Sequence, residues 1–347
     1  MSPRTGGYTE PLLGATIGFR APSEAATWLR NDWSKDTLVR IYMGPTSLHA
    51  ATCEALASGR RRSQFFAPTG DPFKLFTVSD PFGLRRAIVP VFHTSMSSAL
   101  VGMGTAFHID GKGTFLTAHH VIEALTPNGG TIGNGEKTIT DQNAPHGTLI
   151  LPFGLLFGTT KLPDDKIRRI IRTRSPFVSS EDPIAEMQGR AAVSAIDICR
   201  LEIGLPIPET LESLPVRLKG WRPELGEVVM AIGFPELDCK VTERSNLVAT
   251  LSEGMHAAFG RIVGTHPYGR SRTNPTPVFE VEANWPPGMS GGPVLNMAGE
   301  VIGIVSRSLL ADKVSLQNGT GYGVWFEAMQ FDTLIPELDP NNPCRRQ

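Results

Sequence analysis

Cysteine is scarce in this sequence, and long apolar runs are absent from it. The 347 residues include only four cysteines, which are widely separated along the chain. They show neither the close spacing of a disulfide framework nor the ligand spacing of a metal site. No run of about 18 apolar residues is available to form a membrane-spanning helix. We therefore expect reduced thiols, no metal ion or other cofactor, and a cytoplasmic location. The cysteines are Cys53, Cys199, Cys239 and Cys344.

An excess of charge of either sign is also absent. Lysine and arginine number 33, aspartate and glutamate number 34, and the formal net charge is −1. Such a balance gives no overall attraction to nucleic acid or to an anionic membrane. Residues 1–19 lack a charged segment followed by an apolar core, so they do not predict a signal peptide. We expect neither nucleic acid nor a membrane as a partner.

Glycine and proline are abundant, at 36 and 28 residues. From residue 86 onward they separate short apolar segments, and almost no helical periodicity is visible. Many short strands joined by Gly/Pro turns indicate an all-β barrel or sandwich. The strand-like segments are 86–93, 99–109, 113–118, 195–203, 227–234, 259–265, 278–285, 300–306 and 321–326.

Residues 1–85 differ from the rest of the chain. Segments 23–33 and 47–58 have helix-compatible composition, with serines at positions suited to N-caps. We expect a partly helical N-terminal extension here. Its three consecutive arginines, Arg60–Arg62, are interpreted as a solvated charge run, with a cleavage or docking site as the alternative.

Residues 126–189 are polar, and we interpret them as an irregular insertion. They include the basic segment "KIRRIIRTR" at 166–174. This segment is most simply a strand or short helix with a solvated face, and contact with an acidic partner is the alternative.

The segment "PPGMSGGPVL" at 286–295 encloses Ser290 among glycines and prolines. Turns of this composition are common and usually inert, so the segment alone leaves two interpretations open. Ser290 is either a nucleophile or an ordinary turn residue. A serine hydroxyl needs a general base within hydrogen-bond reach, usually a histidine that a buried carboxylate orients.

No histidine follows Ser290. The segment "GMSGG" also fits the Gly-x-Ser-x-Gly elbow of α/β-hydrolases, but those enzymes place their histidine after the serine. That mechanism is therefore excluded, and the orders that remain have the histidine and the acid before the serine. The eight histidines are His49, His93, His108, His119, His120, His146, His256 and His266.

Two segments offer the histidine and the acid. In "GTFLTAHHVIEAL" a strand ends in small residues and is followed by His119, His120 and a short apolar helical turn. In "SAIDICRLEI" Asp197 lies among apolar neighbours. A carboxylate buried there costs several kcal/mol unless it is hydrogen-bonded, and a histidine N–H would satisfy it. Backbone amides are the alternative partner. The other acids considered lie in polar stretches and are expected at the surface: Asp164, Asp165, Asp182 and Asp238.

The segments "LTAHHV", "DICRL" and "GMSGGP", in that order, resemble those of trypsin/chymotrypsin-like serine peptidases, above all bacterial members without disulfides. The resemblance extends from about Arg86 to Leu338. It implies two six-stranded antiparallel β-barrels. The implied domains are an extension at 1–85, a first barrel at 86–204 that contains the insertion 126–189, a second barrel at 205–338, and a tail at 339–347.

The resemblance also implies roles for individual residues. Ser290 matches the nucleophile and Asp197 the acid that orients the histidine. His120 matches the general base through the preceding Thr117 and Ala118, and His119 is the alternative. The backbone N–H groups of Gly288 and Ser290 would form the oxyanion hole.

Substrate contacts follow from the same resemblance. Ser306 matches a residue that supports the acid and begins the strand to which substrate pairs, so a peptide would add a strand along 306–308. Asn284 matches the base of the primary pocket and is neutral. Trp285 would narrow this pocket and favour small or medium uncharged side chains, and Arg307 would attract acidic groups.

Met289 stands where many animal members carry an aspartate that pairs with a new N-terminus after cleavage. We therefore do not expect an activation switch of that kind. The resemblance predicts a serine endopeptidase acting on proteins or peptides, regulated by a partner protein or by residues 1–85. The alternative is a catalytically silent scaffold that binds peptides or partner proteins.

Overall fold

The computed structural model describes three short segments before residue 80 and most of the chain between residues 84 and 329. Within these residues, no helix has the length and apolarity that crossing a membrane requires. The described residues are 18–19, 39–40, 75–77, 84–94, 100–110, 113–123, 125, 137–142, 144, 146–151, 158–161, 164–179, 184, 187–188, 193–208, 211, 213–214, 216–218, 220–235, 248–251, 255–283, 285–296, 300–309 and 319–329.

Strands dominate the described residues. A five-residue α-helix follows the strand that ends at Thr117, and 3-10 helices cover Leu84–Arg86 and Asp164–Lys166. The strands are β1 (Gly18–Phe19), β2 (Val39–Arg40), β3 (Leu75–Thr77), β4 (Ile88–Thr94), β5 (Leu100–His108), β6 (Thr114–Thr117), β7 (Lys137–Gln142), β8 (Gly147–Ile150), β9 (Gly158–Lys161), β10 (Ile167–Ser179), β11 (Val193–Ala195), β12 (Cys199–Ile203), β13 (Val228–Gly233), β14 (Val248–Leu251), β15 (His256–His266), β16 (Val278–Ala283), β17 (Pro293–Leu295), β18 (Val301–Leu309) and β19 (Thr320–Trp325), and the helix is α1 (His119–Glu123).

Two of the sheets close on themselves. In the first, strands β10, β12, β6, β5, β4 and β8 pair in that order, and β8 returns to β10. In the second, strands β13, β17, β18, β19, β16 and β15 pair in that order, and β15 returns to β13. The predicted two six-stranded antiparallel β-barrels are therefore confirmed. The predicted helices of the N-terminal extension lie outside the described residues.

The second barrel also takes up a strand from the N-terminal region. Strand β3 pairs with the first residues of β15, in the register Leu75↔Ala258 to Thr77↔His256. Part of the segment expected to form a separate extension, residues 1–85, is thus hydrogen-bonded to the second barrel.

The segment 126–189, expected to be an irregular insertion, contains two strands of the first barrel. These are β8 and the 13-residue β10, which pairs with β7, β8, β11 and β12. The sequence left residues 166–174 as a strand or a short helix, and the structure shows the strand. Its full extent was hard to predict because two of its buried positions are the polar residues Thr173 and Ser175. An apolar alternation, the usual sign of a half-buried strand, is therefore weak there.

One apolar core contains residues from both barrels. Phe107 and Phe115 of the first barrel and Phe234 and Phe259 of the second belong to the same buried cluster. A second cluster, around Trp285, fills the interior of the second barrel. Burial of large aromatic side chains is a main source of folding free energy. The shared cluster therefore fixes the two barrels against each other.

Strands β5 and β6 pair as an antiparallel hairpin, with His108 opposite Phe115. His108 is fully buried, and its Nε2 accepts the Gly113 N–H at 3.0 Å. Asp110 Oδ1 accepts the Thr114 N–H at 3.1 Å. Gly113 has φ 89°, a conformation that glycine adopts without penalty. The hairpin directs the end of β6 to the segment that carries the paired histidines.

Candidate active site

His120 and Asp197 are in direct contact. His120 belongs to α1, immediately after β6, and Asp197 lies between β11 and β12. The pairing of Cys199 with Thr117 brings these two segments side by side. His120 Nδ1 lies 2.9 Å from Asp197 Oδ1 and 3.0 Å from Oδ2, and the His120 backbone N–H also donates to Oδ1 at 3.0 Å. The ring and the backbone of one residue thus both bind the same carboxylate.

The carboxylate of Asp197 is held in its charged form. Burial disfavours the charge, but hydrogen bonds from His120 and from Ser306 Oγ outweigh it and lower the pKa of Asp197 from 3.8 to about 2. On the backbone side, the Asp197 N–H donates to Thr276 Oγ1 at 2.9 Å. Asp197 is therefore an anion throughout the neutral range and accepts the Nδ1–H of the neighbouring imidazole.

Ser290 is connected to this pair through Ser306. Its Oγ donates to the Ser306 carbonyl oxygen at 3.3 Å. The Ser306 hydroxyl in turn donates to Asp197 Oδ2. Ser290 and Ser306 belong to the second barrel, whereas His120 and Asp197 belong to the first. The structure therefore brings all four residues to one place at the boundary between the barrels.

The loop before Ser290 is a tight turn. The Met289 N–H donates to the Pro286 carbonyl oxygen at 3.2 Å, and Gly288 has φ 92°. A proline at the second position and a positive φ at the third are the signature of a type II turn. The Met289 side chain is fully buried and belongs to the core cluster of the second barrel.

The first barrel holds this serine loop through Thr105 of β5. Thr105 Oγ1 donates to the Gly288 carbonyl oxygen at 2.8 Å, and the Thr105 N–H donates to the Ser290 carbonyl oxygen at 2.8 Å. Thr105 Oγ1 also accepts the Phe234 N–H at 2.9 Å, and its carbonyl oxygen accepts Thr117 Oγ1–H at 2.7 Å. Sequence reasoning missed Thr105, because a threonine within "MGTAF" is indistinguishable from any strand threonine.

The adjacent histidine, His119, has different partners. Its Nδ1 lies 2.8 Å from Ser175 Oγ, and its ring packs edge-on against Phe177 of β10. Burial lowers the pKa of His119, although the nearby Asp197 charge opposes this. The contact with Asp197 thus belongs to His120. Cys199 nearby is buried, and burial raises the pKa of its thiol to about 12, so it is not a thiolate at neutral pH.

The proposed strand for substrate pairing is partly unpaired. The ladder between β18 and β19 skips Ser306 and Arg307, and the ladder between β17 and β18 ends at Ile304. Ser306 is buried and Arg307 is exposed. The gap in the β18–β19 ladder is a β-bulge, because Ser308 and Leu309 pair with β19 again. On the β17 side, the described strands leave residues 306–308 without a strand partner.

Trp285 is fully buried in the core of the second barrel. Its ring lies against β19, so closely that a Cβ at Gly321 would meet an indole carbon at 2.4 Å. Its carbonyl oxygen accepts Ser308 Oγ–H at 2.5 Å. The indole therefore fills space inside the barrel rather than standing free in an open cavity. Asn284, the neighbouring candidate for the pocket base, lies outside the described residues.

Comparison of the sequence with protein families identifies the class of protein that has this two-barrel fold and this group of His, Asp and Ser residues. The profile of the trypsin-like peptidase domain matches residues 104–304, more than half of the chain. The chain belongs to this family. The match contains His120, Asp197 and Ser290.

Among curated proteins, the chain is similar to the serine endoprotease DegS. It is 32% identical to the protein of Salmonella typhimurium (strain 14028s / SGSC 2262) over 120 residues, which cover 34% of this chain and 29% of that protein. It is 33% identical to the protein of Escherichia coli (strain K12) over 108 residues, which cover 30% of this chain and 26% of that protein. The chain thus matches less than a third of the length of these relatives.

Among solved structures, the active form of the Rv3671c protease from M. tuberculosis is 16% identical, with a TM-score of 0.41. The similarity covers 74% of this chain and 82% of that one. A serine endoprotease from Yersinia pestis is 21% identical, with a TM-score of 0.36, over 70% of this chain and 60% of that one.

Proposed function

We propose that this protein is a serine endopeptidase in which Ser290 is the nucleophile, His120 the general base and Asp197 the acid that orients His120. The observation that carries the proposal is the contact between His120 and Asp197 beside Ser290. Ser306 joins the two parts, since its carbonyl oxygen accepts from Ser290 and its hydroxyl donates to Asp197. A nucleophile, a base and an orienting carboxylate within one such network are the requirements for acyl transfer by serine.

The reaction follows from these roles. Ser290 Oγ exchanges its bond to the Ser306 carbonyl oxygen for one to His120 Nε2, and attacks the peptide carbonyl while Nε2 takes the proton. Asp197 accepts the Nδ1–H and stabilises the imidazolium. The N–H groups of Gly288 and Ser290 bind the oxyanion. Collapse of this intermediate passes the proton to the leaving amine, and water then hydrolyses the acyl-enzyme by the same steps.

For the substrate, we propose a peptide that adds a strand along residues 306–308. The end of the β17–β18 ladder at Ile304 supports this mode of binding, because residues 306–308 have no strand partner on that edge among the described strands. Because the indole of Trp285 occupies the interior next to Gly321, the primary pocket is shallow and accepts small or medium uncharged side chains. The exposed cation of Arg307 favours acidic groups nearby.

Labelling with a fluorophosphonate probe tests the activity. We expect the folded protein to be labelled, with peptide mapping locating the adduct on Ser290. His120→Ala should lose labelling because it lacks the base, whereas His119→Ala is the matched control and should keep it. A folded wild-type protein that stays unlabelled, with and without casein present, overturns the proposal.

The alternative function is a silent scaffold that binds peptides. The observation in its favour is that Ser290 Oγ donates to the Ser306 carbonyl oxygen and not to a histidine nitrogen. Absence of labelling together with casein binding is the outcome expected of a scaffold. Catalytic hydrogen bonds are often unformed without substrate, so this observation is compatible with an enzyme as well.

Regulation by a partner protein or by residues 1–85 also remains our proposal. Because β3 pairs with β15, removal of residues 1–85 would delete a strand from the second barrel. The informative comparison is casein cleavage by the full chain and by residues 74–347, which retain β3. Equal rates would contradict autoinhibition. The cytoplasmic location and bacterial origin stay predictions from the sequence.

A further inference from the structure

We propose that Thr105 is a positioning residue that holds the serine loop in the conformation in which its N–H groups form the oxyanion hole. The inference rests on the proposed peptidase function. Thr105 is fully buried and lies on β5 of the first barrel, whereas Ser290 belongs to the second barrel. The hydrogen bonds of Thr105 go to Gly288, Phe234, Thr117 and the Ser290 carbonyl, so we expect any effect on catalysis to act through the loop.

Three consecutive carbonyl groups of the serine loop are held by hydrogen bonds. The Gly288 carbonyl oxygen accepts from Thr105 Oγ1, the Met289 carbonyl oxygen accepts from the Gly292 N–H, and the Ser290 carbonyl oxygen accepts from the Thr105 N–H. A single residue of the first barrel therefore binds the loop on both sides of the peptide that joins Met289 to Ser290.

The direction of each carbonyl fixes the direction of an N–H group. In a planar trans peptide the N–H points opposite to the C=O. With the Met289 carbonyl oxygen turned to Gly292, the Ser290 N–H points the other way. The Gly288 N–H belongs to the middle peptide of the type II turn, and its direction requires the positive φ of Gly288.

A glycine adopts positive and negative φ with nearly equal ease, so the turn needs an external constraint to keep one arrangement. The hydrogen bond from Thr105 Oγ1 restrains Gly288 on its carbonyl side, and the bond from Met289 N–H to Pro286 closes the turn. Without the hydroxyl, the Gly288 carbonyl loses its contact with the first barrel and the two oxyanion donors are no longer held together.

Thr105 also connects the loop to the histidine side of the site. Its carbonyl oxygen accepts Thr117 Oγ1–H, three residues before His120, and its own Oγ1 accepts the Phe234 N–H. The Thr105 hydroxyl thus donates to the serine loop and accepts from the residue after β13, both in the second barrel. The Thr105 backbone is hydrogen-bonded to β6, the strand that leads to His120. This placement distinguishes Thr105 from a threonine that merely fills a core position.

The test compares Thr105→Val, which removes the hydroxyl, with Thr105→Ser, which keeps it. Casein cleavage by Thr105→Val should show kcat lowered about 100-fold, as expected for misplaced catalytic groups, with KM within about twofold. Thr105→Ser should stay within about threefold of the wild-type kcat.

Inhibition by an alanine boronic acid, which mimics the tetrahedral intermediate, should weaken in Thr105→Val in parallel with kcat. Thr148→Val, at another buried threonine of the first barrel, is the matched control and should leave kcat unchanged.

The outcomes separate this proposal from the proposed function. If wild-type Ser290 is labelled by the fluorophosphonate and a folded Thr105→Val is labelled equally fast, the Thr105 proposal is overturned and the proposed peptidase function stands. An equal loss of kcat in Thr105→Ser and Thr105→Val also overturns it. If the wild type is not labelled, both proposals fail. Should Thr105→Val not fold, judged by its thermal transition, Thr105→Cys replaces it, and a kcat below that of Thr105→Ser is the expected result.

Discussion

Asp197 accepts hydrogen bonds from both the imidazole Nδ1 and the backbone N–H of His120. The backbone bond fixes the carboxylate beside the ring independently of the ring's own protonation. We predict that Asp197→Asn lowers kcat for casein cleavage by about 10⁴-fold, because the amide favours the wrong imidazole tautomer. Asp110→Asn, in hairpin β5–β6, is the control and should keep wild-type activity. A loss of less than tenfold in Asp197→Asn would contradict the proposed role.

The low pKa of Asp197 predicts how stability changes with acid. Since the pKa falls from 3.8 to about 2 on folding, the native state binds fewer protons than the unfolded state between these values. The stabilisation, about 2 kcal/mol, is complete above pH 3.8 and is lost as the pH falls toward 2. Urea unfolding between pH 2 and 6 should therefore show a steeper loss of unfolding free energy for the wild type than for Asp197→Asn. Parallel curves for the two proteins would count against this prediction.

Removal of the Ser306 hydroxyl should affect chemistry without affecting substrate pairing. Ser306 Oγ donates to Asp197, whereas substrate would pair with the strand backbone, which alanine retains. A hydrogen bond to a charged group contributes about 1.5–3 kcal/mol, so we predict that Ser306→Ala lowers kcat by at least about tenfold with unchanged KM. Steady-state kinetics on casein provides both constants. Ser213→Ala, at another buried serine, should change neither, and a rise in KM alone in Ser306→Ala would refute the assignment.

Two glycines with nearly the same backbone angle should respond differently to substitution. Gly226 and Gly291 have φ 87° and 83°. A Cβ at Gly226 would meet nothing within 4 Å, but one at Gly291 would lie 2.1 Å from Thr117 Oγ1. Gly226→Ala should therefore lower the unfolding free energy by only about 1–2 kcal/mol through backbone strain. Gly291→Ala adds a clash with two strands of the first barrel and should lose at least about 3 kcal/mol. Chemical denaturation measures both, and equal losses would show that the clash is relieved.

Trp285 should limit the size of the residue accepted in the primary pocket. We predict that Trp285→Leu raises cleavage after large apolar residues relative to small ones, at a stability loss of about 2–4 kcal/mol from the cavity left behind. Mass spectrometry of casein fragments gives the preference. Trp221→Leu removes a tryptophan that packs on Phe279 in the same core and serves as the control. A strong preference for cleavage after arginine or lysine in the wild type would contradict a shallow neutral pocket.

Short segments of sequence predicted an all-β fold from their own pattern, and the two barrels and the candidate residues through their resemblance to trypsin-like peptidases. Alternating apolar strands, Gly/Pro turns and the contexts of His120, Asp197 and Ser290 can each be read within about ten residues. The structure brings His120 and Asp197 into contact and joins Ser290 to them through Ser306. Their catalytic roles stay predictions until the labelling experiment is done.

Features that arise from packing between distant segments could not be predicted in this way. Thr105 and Gly288 are 183 residues apart, and Thr276 is 79 residues from the Asp197 N–H that it binds. Nothing in the local sequence of either threonine distinguishes it from an ordinary strand residue. The place of β10 in the first barrel was missed for a related reason, since its buried Thr173 and Ser175 weaken the apolar alternation on which strand prediction depends. The sequence left residues 166–174 as a strand or a short helix.

The division of the site between the barrels affects the chain while it is being made. His120 and Asp197 lie in the barrel that leaves the ribosome first, and Ser290 follows in the second. With the roles proposed above, a nascent chain that has folded only its first barrel would have a base and an acid but no nucleophile. We therefore expect no peptide cleavage by a chain that ends before Ser290, even where its first barrel is folded.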